Sequence, residues 1–346
     1  DQLRLLPLAE ALDYIHRPPP DADVAALVSR DHPTQKRLAL EELLAHSLSM
    51  QKLRRLQRAR KAPVMTAGAA AEIDFIQRLA FKLTGAQQRV TREIRHDLEQ
   101  DKPMLRLVHG DVGSGKTVIA ALAALRAAGN GYQTAITAPT ELLAEQHFQV
   151  FKQWLEPLGI NPVWLSGKVT GKKRTEALHR ISSGAEVVIG THALMQKGVE
   201  FSRLGLVIVD EQHRFGVDQR MNLLKKGGTG NQQAHQLIMT ATPIPRTLAM
   251  TAYAGMDISV IDELPPGRKP VTTVVMSNDN REEIIRRVAK ACANGQQAYW
   301  VCTLIEESDV INAQAAEDVA MNLRNDLREL NIGLIHGRLK PVDKQQ

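Results

Sequence analysis

Gly110-Asp111-Val112-Gly113-Ser114-Gly115-Lys116-Thr117 is the stretch that reveals how this 346-residue chain is organised. It matches G-x-x-x-x-G-K-[ST], in which backbone N–H groups of a glycine-rich loop surround phosphate groups. The preceding residues 104–108 predict a short buried strand, and residues 118–126 predict a helix rich in Ala and Leu. This order suits phosphate binding because a helix N-terminus carries partial positive charge. We therefore predict that Lys116 reaches the β- and γ-phosphates of a nucleotide and that the Thr117 hydroxyl binds Mg²⁺.

The second half of a nucleotide site is predicted at Asp210-Glu211-Gln212-His213, directly after the apolar stretch 204–209. Such a stretch is typical of a strand buried in a parallel sheet. We place this strand beside the strand of the phosphate loop, so that Asp210 holds Mg²⁺ there. Glu211 would then orient or deprotonate an attacking water. The alternative is that the two acids only cap the turn after the strand.

Residues upstream of the loop predict where the base of the nucleotide lies. Phe81 could stack on the base, and Leu83 belongs to the same stretch. The amide of Gln87 both donates and accepts hydrogen bonds, which suits the edge of adenine. Thr84 is the predicted N-cap of a helix that runs through Leu98. The alternative is that Gln87 is a surface residue of this helix with no ligand.

Three turns that follow predicted strands carry small hydroxyl or basic residues. The strands are predicted at residues 133–138, 162–165 and 186–189. Such groups can bind the backbone of a nucleic acid, and a helix start can hold a phosphate. Each of the three could also be an ordinary turn. The candidate nucleic-acid contacts are Pro139, Thr140, Ser166, Gly167, Lys168, Thr191 and His192.

Two threonines follow a further predicted strand, residues 236–239. The hydroxyls of Thr240 and Thr242 lie within reach of a group that senses the γ-phosphate. Without other information, the same residues predict only a turn into a helix.

The flanking regions predict a helical start and a second α/β run. Residues 1–80 are mostly helical by pattern, with a linker at residues 63–71. After the linker 265–270, strands are predicted at 271–276, 298–302 and 332–335, with helices at 281–293 and 313–330. The basic end of the first region could contact DNA phosphates, or it could be a solvated helix face or a C-terminus that complements the helix dipole, and these interpretations stay open. Its basic residues are Lys52, Arg54, Arg55, Arg58, Arg60 and Lys61.

Composition narrows the class of protein. The net charge of +6 permits a polyanionic partner. Cys292 and Cys302 are the only cysteines and lack metal-ligand spacing, which argues against a disulfide scaffold and favours a reducing cytoplasm. No apolar run approaches the roughly 18 residues of a membrane span, and no signal peptide is recognisable. The chain does not begin with Met, so we expect a fragment.

The motifs, in this order, resemble superfamily 2 helicases, and most closely the RecG family of bacterial ATP-dependent DNA helicases. The resemblance covers roughly residues 81–340. The transcription-repair coupling factors share two of the motifs, whereas Gln212 and residues 299–308 favour the RecG family. The stretches that carry the resemblance are residues 110–117, Ala138-Pro-Thr-Glu-Leu-Leu-Ala-Glu-Gln-His147, Asp210-Glu-Gln-His-Arg-Phe-Gly-Val217, Met239-Thr-Ala-Thr-Pro-Ile-Pro-Arg-Thr-Leu-Ala-Met250 and Tyr299-Trp-Val-Cys-Thr-Leu-Ile-Glu-Glu-Ser308.

The resemblance implies an ATP-dependent translocase on double-stranded DNA that remodels forks and Holliday junctions in recombination and repair. ATP and Mg²⁺ would be its cofactors, and a monomer in the bacterial cytoplasm and nucleoid is expected, with single-strand-binding protein as a further partner. Lys116, Asp210, Glu211, Gln212 and His213 would form the catalytic set, and Gln87 would read adenine. Thr240 and Thr242 would couple hydrolysis to movement.

The resemblance also implies a division of the chain. Residues 1–80 would connect to an absent N-terminal wedge domain, residues 81–263 would form a RecA-like motor lobe, and residues 264–346 would begin a truncated second RecA-like lobe. The motif that supplies an arginine finger would be missing, so we expect weak ATP turnover by the chain alone. Two other functions remain open: a translocase of the coupling-factor type, or a nucleotide-switched DNA-binding module without motor activity.

Overall fold

The computed structural model describes residues 5–211, 232–242, 256–263, 271–302 and 309–336. The chain divides into two compact units, Asp1–Arg268 and Lys269–Gln346. Gln212 and His213 of the predicted catalytic set lie outside the described residues.

The first unit begins with a helical region. Helices α1 (Leu8–His16), α2 (Val24–Val28) and α3 (Pro33–Arg58) precede the sheet, as the apolar period predicts. Helix α1 packs on α3, where the Arg37 guanidinium donates to the Leu6 carbonyl. Among the basic residues at the end of α3 and just after it, the described side chains are exposed: Lys52, Arg55, Arg60 and Lys61.

A seven-stranded parallel sheet forms the centre of this unit, which confirms the predicted α/β class. Its spatial order is β3-β4-β2-β5-β6-β1-β7. The edge strand β7 was not predicted from the sequence. The strands are β1 (Leu105–Gly110), β2 (Gln133–Thr137), β3 (Val163–Leu165), β4 (Val187–Gly190), β5 (Leu204–Asp210), β6 (His235–Thr240) and β7 (Asp257–Ile261).

One predicted pair of neighbouring strands in the sheet is wrong. The strand that ends in Asp210 is not beside the phosphate-loop strand, because β6 pairs with both β5 and β1 and lies between them. Pairing order is a tertiary property, since every one of these strands is apolar enough to occupy a central position. The carboxyl ends of the three strands still meet at one edge of the sheet.

Helices cover both faces of the sheet. Alternate residues of a strand point to opposite faces, so Leu107 and Val108 enter different core clusters. Helix α6 is buried from Val118 to Ala127, as its Ala- and Leu-rich sequence predicts. The helices are α4 (Ala69–Arg78), α5 (Gly85–Leu98), α6 (Lys116–Gly129), α7 (Glu141–Leu155) and α8 (Gly171–Ser182).

The segment 63–71 is packed against the lobe, so its prediction as a linker is wrong. Met65 is fully buried, and the Arg126 guanidinium on α6 donates to the Met65 and Thr66 carbonyls. Arg126 also pairs with the buried Glu72 carboxylate of α4, with Nε and Oε1 2.6 Å apart. Gly129 allows the close approach, because a Cβ there would lie 2.7 Å from the Gly68 Cα.

The second unit contains helices α9 (Arg281–Ala293) and α10 (Asp309–Asp326). The strands predicted at 271–276, 298–302 and 332–335 are not found, since these residues belong to no strand in the described part of the chain. Val275 and Tyr299 are more than nine-tenths exposed. An apolar run becomes a strand only when a neighbouring strand accepts and donates its backbone hydrogen bonds. Across the described residues, no helix is long and apolar enough to span a membrane.

Candidate functional site

The predicted phosphate loop joins β1 to α6, as its sequence requires. Gly113 and Gly115 have φ angles of +79° and +89°, which place their N–H groups in a turn that other residues rarely adopt. Lys116 is the first residue of α6, and its ammonium group folds back onto the loop. Its Nζ donates to the Gly110 carbonyl at 2.5 Å and to the Asp111 carbonyl at 3.0 Å. Lys116 thus lies over the loop at the helix N-terminus.

A buried polar atom in this loop fits a phosphate ligand. The Ser114 side chain is 1% exposed, and its hydroxyl has no hydrogen-bond partner among the described residues. Buried hydroxyls are normally paired, so an oxygen-rich ligand in the loop would satisfy this one. Gly110 keeps the space open, because a Cβ there would lie 2.6 Å from the Ser114 hydroxyl oxygen.

The two halves of the nucleotide site lie at the same edge of the sheet, because β6 pairs in parallel with both β1 and β5. Burial lowers the pKa of Lys116, while the carboxylates of Asp210, Glu211 and Asp111 oppose that change. The two acids at the end of β5 are therefore near enough to act on the lysine of the loop. A lysine and two carboxylates at the same edge of the sheet suit a site that binds a nucleotide phosphate together with its cation.

Asp210 is held by a histidine that the sequence analysis did not select. The Asp210 side chain is 13% exposed, and the His147 imidazole Nε2 donates to its Oδ2 at 2.8 Å. We assign the donor to His147 because an ionised carboxylate only accepts. The sequence held one signal, because His147 follows Thr140, the N-cap of α7, by seven residues, or about two helical turns.

Glu211 is tied to the threonines at the end of β6. Its Oε2 accepts from the Thr240 hydroxyl at 3.1 Å, and its Oε1 accepts from the Ala241 backbone N–H at 2.9 Å. The Thr240 and Thr242 hydroxyls are 2.6 Å apart. Glu211 itself has a φ of +49°, a left-handed conformation that is uncommon for a side chain of this size. A strained residue held by a network is frequent at functional sites.

Gln87 contacts the phosphate loop. Its side chain is 2% exposed, and its Nε2 donates to the Ser114 carbonyl at 2.8 Å. Its Oε1 accepts from the Thr84 N–H at 2.9 Å, which completes the predicted N-cap of α5 with a capping box. Phe81 is 46% exposed, and Leu83 packs against the core. The contact of Gln87 with adenine stays a prediction.

The oxygen donors at this edge fit a magnesium ion that is shared with nucleotide phosphates, rather than a metal ion held by protein ligands alone. Mg²⁺ on a nucleotide is usually held by one or two protein oxygens together with the phosphates. Thr117 and Asp210 supply a hydroxyl and a carboxylate of that kind. No group of three or more metal-ligating His, Cys, Asp or Glu side chains occurs in the described part of the chain.

The candidate nucleic-acid residues lie at the ends of the other strands of the same edge. Thr140 caps α7, where its hydroxyl accepts from the Leu143 N–H at 3.3 Å. The Ser166 hydroxyl donates to the Glu141 Oε1 at 2.8 Å, and the Lys168 ammonium pairs with Oε2 of the same carboxylate. Burial raises the pKa of Glu141, but the bonds from Lys168 and Ser166 outweigh it and hold that pKa below its usual value.

The remaining candidates differ in access. Gly167 and His192 are exposed and Pro139 is half-buried, whereas Thr191 is 4% exposed. The Thr191 hydroxyl caps the short 3₁₀ helix His192–Met195 by accepting from the Ala193 N–H. The structure therefore brings the three turns to one edge without giving all their side chains the same access to a ligand.

A model of the DEAD/DEAH box helicase family matches residues 76–251, which is more than half of the chain. RecG, the ATP-dependent DNA helicase of Pasteurella multocida, is 57% identical over 340 residues, covering 98% of this chain and 49% of the relative. RecG of Escherichia coli K12 is 56% identical over 343 residues, covering 99% of this chain and 50% of the relative. The chain thus spans about half the length of the curated relatives it matches. These matches confirm the resemblance to RecG.

Two solved helicase structures have the same fold as this chain. A structure of RecG bound to a three-way DNA junction superposes with a TM-score of 0.75 at 37% identity, covering 90% of this chain and 41% of that one. The DEAD-box helicase Mss116 superposes with a TM-score of 0.59 at 17% identity, covering 79% of this chain and 59% of that one. The second likeness concerns the fold alone.

Proposed function

The chain belongs to the DEAD/DEAH box helicase family, and from that premise we propose that it is the ATP-hydrolysing motor part of a DNA translocase of the RecG type. One observation carries the proposal: the loop lysine, the acids Asp210 and Glu211 at the end of β5, and the threonines at the end of β6 meet at one edge of the sheet. A site for nucleotide binding alone would not need a second acid bonded to another strand. Hydrolysis with mechanical output does need such a link.

The proposed chemistry assigns one task to each residue. The phosphate loop binds the nucleotide through backbone N–H groups, and Lys116 leaves its two loop carbonyls to neutralise the β- and γ-phosphates. Thr117 and Asp210 would hold Mg²⁺, which when bound neutralises phosphate charge. Glu211 orients the attacking water and takes its proton. Phosphoryl transfer depends mainly on such positioning and electrostatics.

The link to movement is proposed to run through Glu211. Thr240, Thr242 and the Ala241 backbone bond to this carboxylate or to each other. A change at the γ-phosphate that moves Glu211 would therefore move the end of β6. We propose that this is how Thr240 and Thr242 couple hydrolysis to a change of conformation. Gln212 and His213 are proposed to complete the catalytic set.

DNA is the proposed partner of the other half of the edge. A solved RecG structure holds a three-way DNA junction, and the turns after β2, β3 and β4 carry hydroxyls and a lysine suited to phosphates. Contacts of this kind fix position without reading sequence, which suits a protein that moves along DNA. We propose branched duplex DNA, including forks and Holliday junctions, as the substrate of the whole protein.

The organisation of the whole protein is part of the same proposal. Residues 1–80 would connect to a further N-terminal domain, residues 81–263 would be the first motor lobe, and residues 264–346 would belong to the second. A monomer in the bacterial cytoplasm and nucleoid, assisted by single-strand-binding protein, goes with this function.

Steady-state ATP hydrolysis tests the proposal directly. It is measured without DNA and with single-stranded, duplex, three-way and four-way-junction DNA, with Lys116→Ala as the matched inactive variant. For the protein at full natural length we expect stimulation that is greatest on branched DNA and absent in Lys116→Ala, because loss of the lysine costs on the order of 10²–10³ in rate. A protein at full natural length that gives equal, unstimulated rates on all DNAs would contradict the proposal.

A further inference from the structure

The contact between His147 and Asp210 joins two parts of the molecule to which the proposed function gives different ligands. His147 lies on α7, the helix that begins at the proposed DNA contact Thr140. Asp210 ends β5 and is the proposed Mg²⁺ ligand. The two side chains are each 13% exposed, and the bond between Nε2 and Oδ2 is 2.8 Å long. A short, half-enclosed bond of this type is directional and about twice as strong as one between neutral groups.

The position of His147 along α7 places it to transmit a change at the helix start. It follows the N-cap by seven residues, so it lies on the same side of the helix and about 10 Å further along its axis. Ala144, Phe151 and Leu155 of α7 are fully buried, which holds the helix against the sheet as one body. A displacement of the start of the helix would therefore also displace His147.

The helix start carries the groups that a DNA phosphate would disturb. The Glu141 carboxylate in its first turn binds the Ser166 hydroxyl and the Lys168 ammonium. A phosphate that takes Lys168 as its partner would replace Glu141 in that pair, because one ammonium cannot stay equally close to both anions. This exchange would remove the ion pair that holds the Glu141 carboxylate in the first turn of α7.

We propose that His147 is a positioning residue that keeps the Asp210 carboxylate in the orientation that binds Mg²⁺. DNA bound at the start of α7 would change this orientation, because His147 lies on the same helix. This inference rests on the proposed function. His147 engages Oδ2 of Asp210, and Oδ1 would remain available to hold the cation. A carboxylate fixed in this way binds a cation without first losing the freedom to rotate, as outer-shell partners of metal ligands do elsewhere.

Two substitutions separate this role from simple packing. His147→Ala removes the donor and the ring, whereas His147→Gln keeps an N–H near the position of Nε2 on a side chain that suits a helix. His96→Ala is the matched control, because His96 is an exposed histidine of α5. Thermal unfolding of each variant shows whether it is folded.

The first measurement is the affinity for a non-hydrolysable fluorescent ATP analogue, with Mg²⁺ and with EDTA. We expect Mg²⁺ to tighten binding in the wild-type chain. We expect His147→Ala to lose about ten- to a hundredfold of that Mg²⁺-dependent gain, with binding in EDTA unchanged, and His147→Gln to recover most of it. A full gain in His147→Ala, or a loss in His147→Gln equal to that in His147→Ala, would overturn the inference.

The second measurement adds DNA to the same assay. If DNA changes the affinity of the analogue in Mg²⁺, the two ligands are coupled reciprocally. We expect this change in the wild type and in His147→Gln, and its absence in His147→Ala. A change of equal size in His147→Ala would overturn the coupling. Binding of the analogue that Lys116→Ala does not weaken would instead overturn the proposed function, and the inference with it.

Discussion

The two halves of the sheet's carboxyl edge are built in opposite ways. The nucleotide half, at the ends of β1, β5 and β6, is enclosed and internally bonded: Gln87 is 2% exposed and Ser114 is 1% exposed. The nucleic-acid half, at the ends of β2, β3 and β4, has buried hydroxyls at Ser166 and Thr191 but is open at its basic side chain, since Lys168 is 74% exposed. One edge of the sheet therefore carries an internally bonded loop beside a turn with an exposed lysine.

The difference follows from what each half is proposed to bind. A phosphate group that reacts must be held in one geometry by groups already in place, because reorganisation during the reaction costs rate. A polymer that is to move must be held by contacts that exchange easily. The boundary between the halves runs between the paired strands β2 and β5, and the bond from His147 to Asp210 crosses it.

Glu211→Gln tests the enclosed half and should have the largest effect. Gln keeps the size of the side chain and one carbonyl oxygen for Thr240 or Ala241, but it cannot take a proton from water. We expect the ATP hydrolysis rate to fall by about 10²–10⁴ in a single-turnover assay. The affinity for ATP should be retained, so that ATP stays bound.

The same variant separates a motor from a passive module. A nucleotide-switched DNA-binding module would respond to ATP equally well with Gln at this position. A hydrolysis rate within a few-fold of the wild type would show that Glu211 does not activate water.

Gly115→Ala tests how tightly the enclosed half is built. A Cβ at residue 115 would lie 2.2 Å from the Gln87 Nε2, and the φ of +89° disfavours any side chain. We expect a loss of about 1–3 kcal/mol in the free energy of unfolding and loss of nucleotide binding, measured by denaturation and by titration.

Gly167→Ala is the matched substitution in the open half. A Cβ at residue 167 meets nothing within 4 Å. We expect stability and nucleotide affinity to stay at the wild-type values. If both glycine variants behaved alike, the contrast between an enclosed and an open half would be wrong.

Lys168→Ala tests the open half. Removing one phosphate contact should weaken DNA binding several-fold on every sequence and lower the slope of log K against log salt by about 1. Nucleotide affinity measured without Mg²⁺ should not change. The measurement is DNA affinity at several salt concentrations.

Lys102→Ala is the control for that experiment, because Lys102 is an exposed lysine just before the amino end of β1. It should leave the salt slope unchanged. Equal slopes for the wild type and Lys168→Ala would remove Lys168 from the DNA surface.

His235, at the amino end of β6, should affect the free energy of unfolding but not the affinity for nucleotide or DNA. Its Nδ1 accepts from the Met104 N–H, its Nε2 donates to the Pro63 carbonyl, and burial lowers its pKa. The unfolded chain therefore binds a proton more readily below about pH 6.5, so stability falls as pH drops through this range. The slope from one such group is at most about 1.4 kcal/mol per pH unit.

Chemical denaturation at pH 5 to 8 measures this slope, and His235→Asn should reduce it. Above pH 7 the group is neutral in both states and contributes no slope. A slope identical in the wild type and in His235→Asn would show that another group titrates instead.

Much of the enclosed half could be predicted because its chemistry is local in sequence. The loop from Gly110 to Thr117 needs its glycines and lysine at fixed spacing, and the helix after it needs Ala and Leu. Thr84 and Gln87 are three residues apart, so a capping box was open to prediction. Six strands of the sheet in the first unit were predicted, because their apolar residues are bounded by turn residues, as is typical of a parallel sheet.

The contacts that join distant parts of the chain could not be predicted in the same way. The bond of His147 to Asp210 spans 63 residues, and that of Arg126 to Glu72 spans 54. In the second unit, apolar runs such as 298–302 were predicted as strands but have no ladder among the described residues. The pattern of apolar residues shows that a segment can form a strand, but the segment does so only when a neighbouring strand pairs with it.

The sequence by itself determined the α/β class, the phosphate loop and the identity of the acids, because short-range spacing fixes backbone turns and the chemistry of side chains. The tertiary structure alone decided that β6 lies between β5 and β1, that Gln87 faces the loop, and that α7 reaches Asp210 through His147. Those facts depend on which strands pair and which faces pack. Pairing is selected by the free energy of the whole core, since several apolar strands could each have filled a central place.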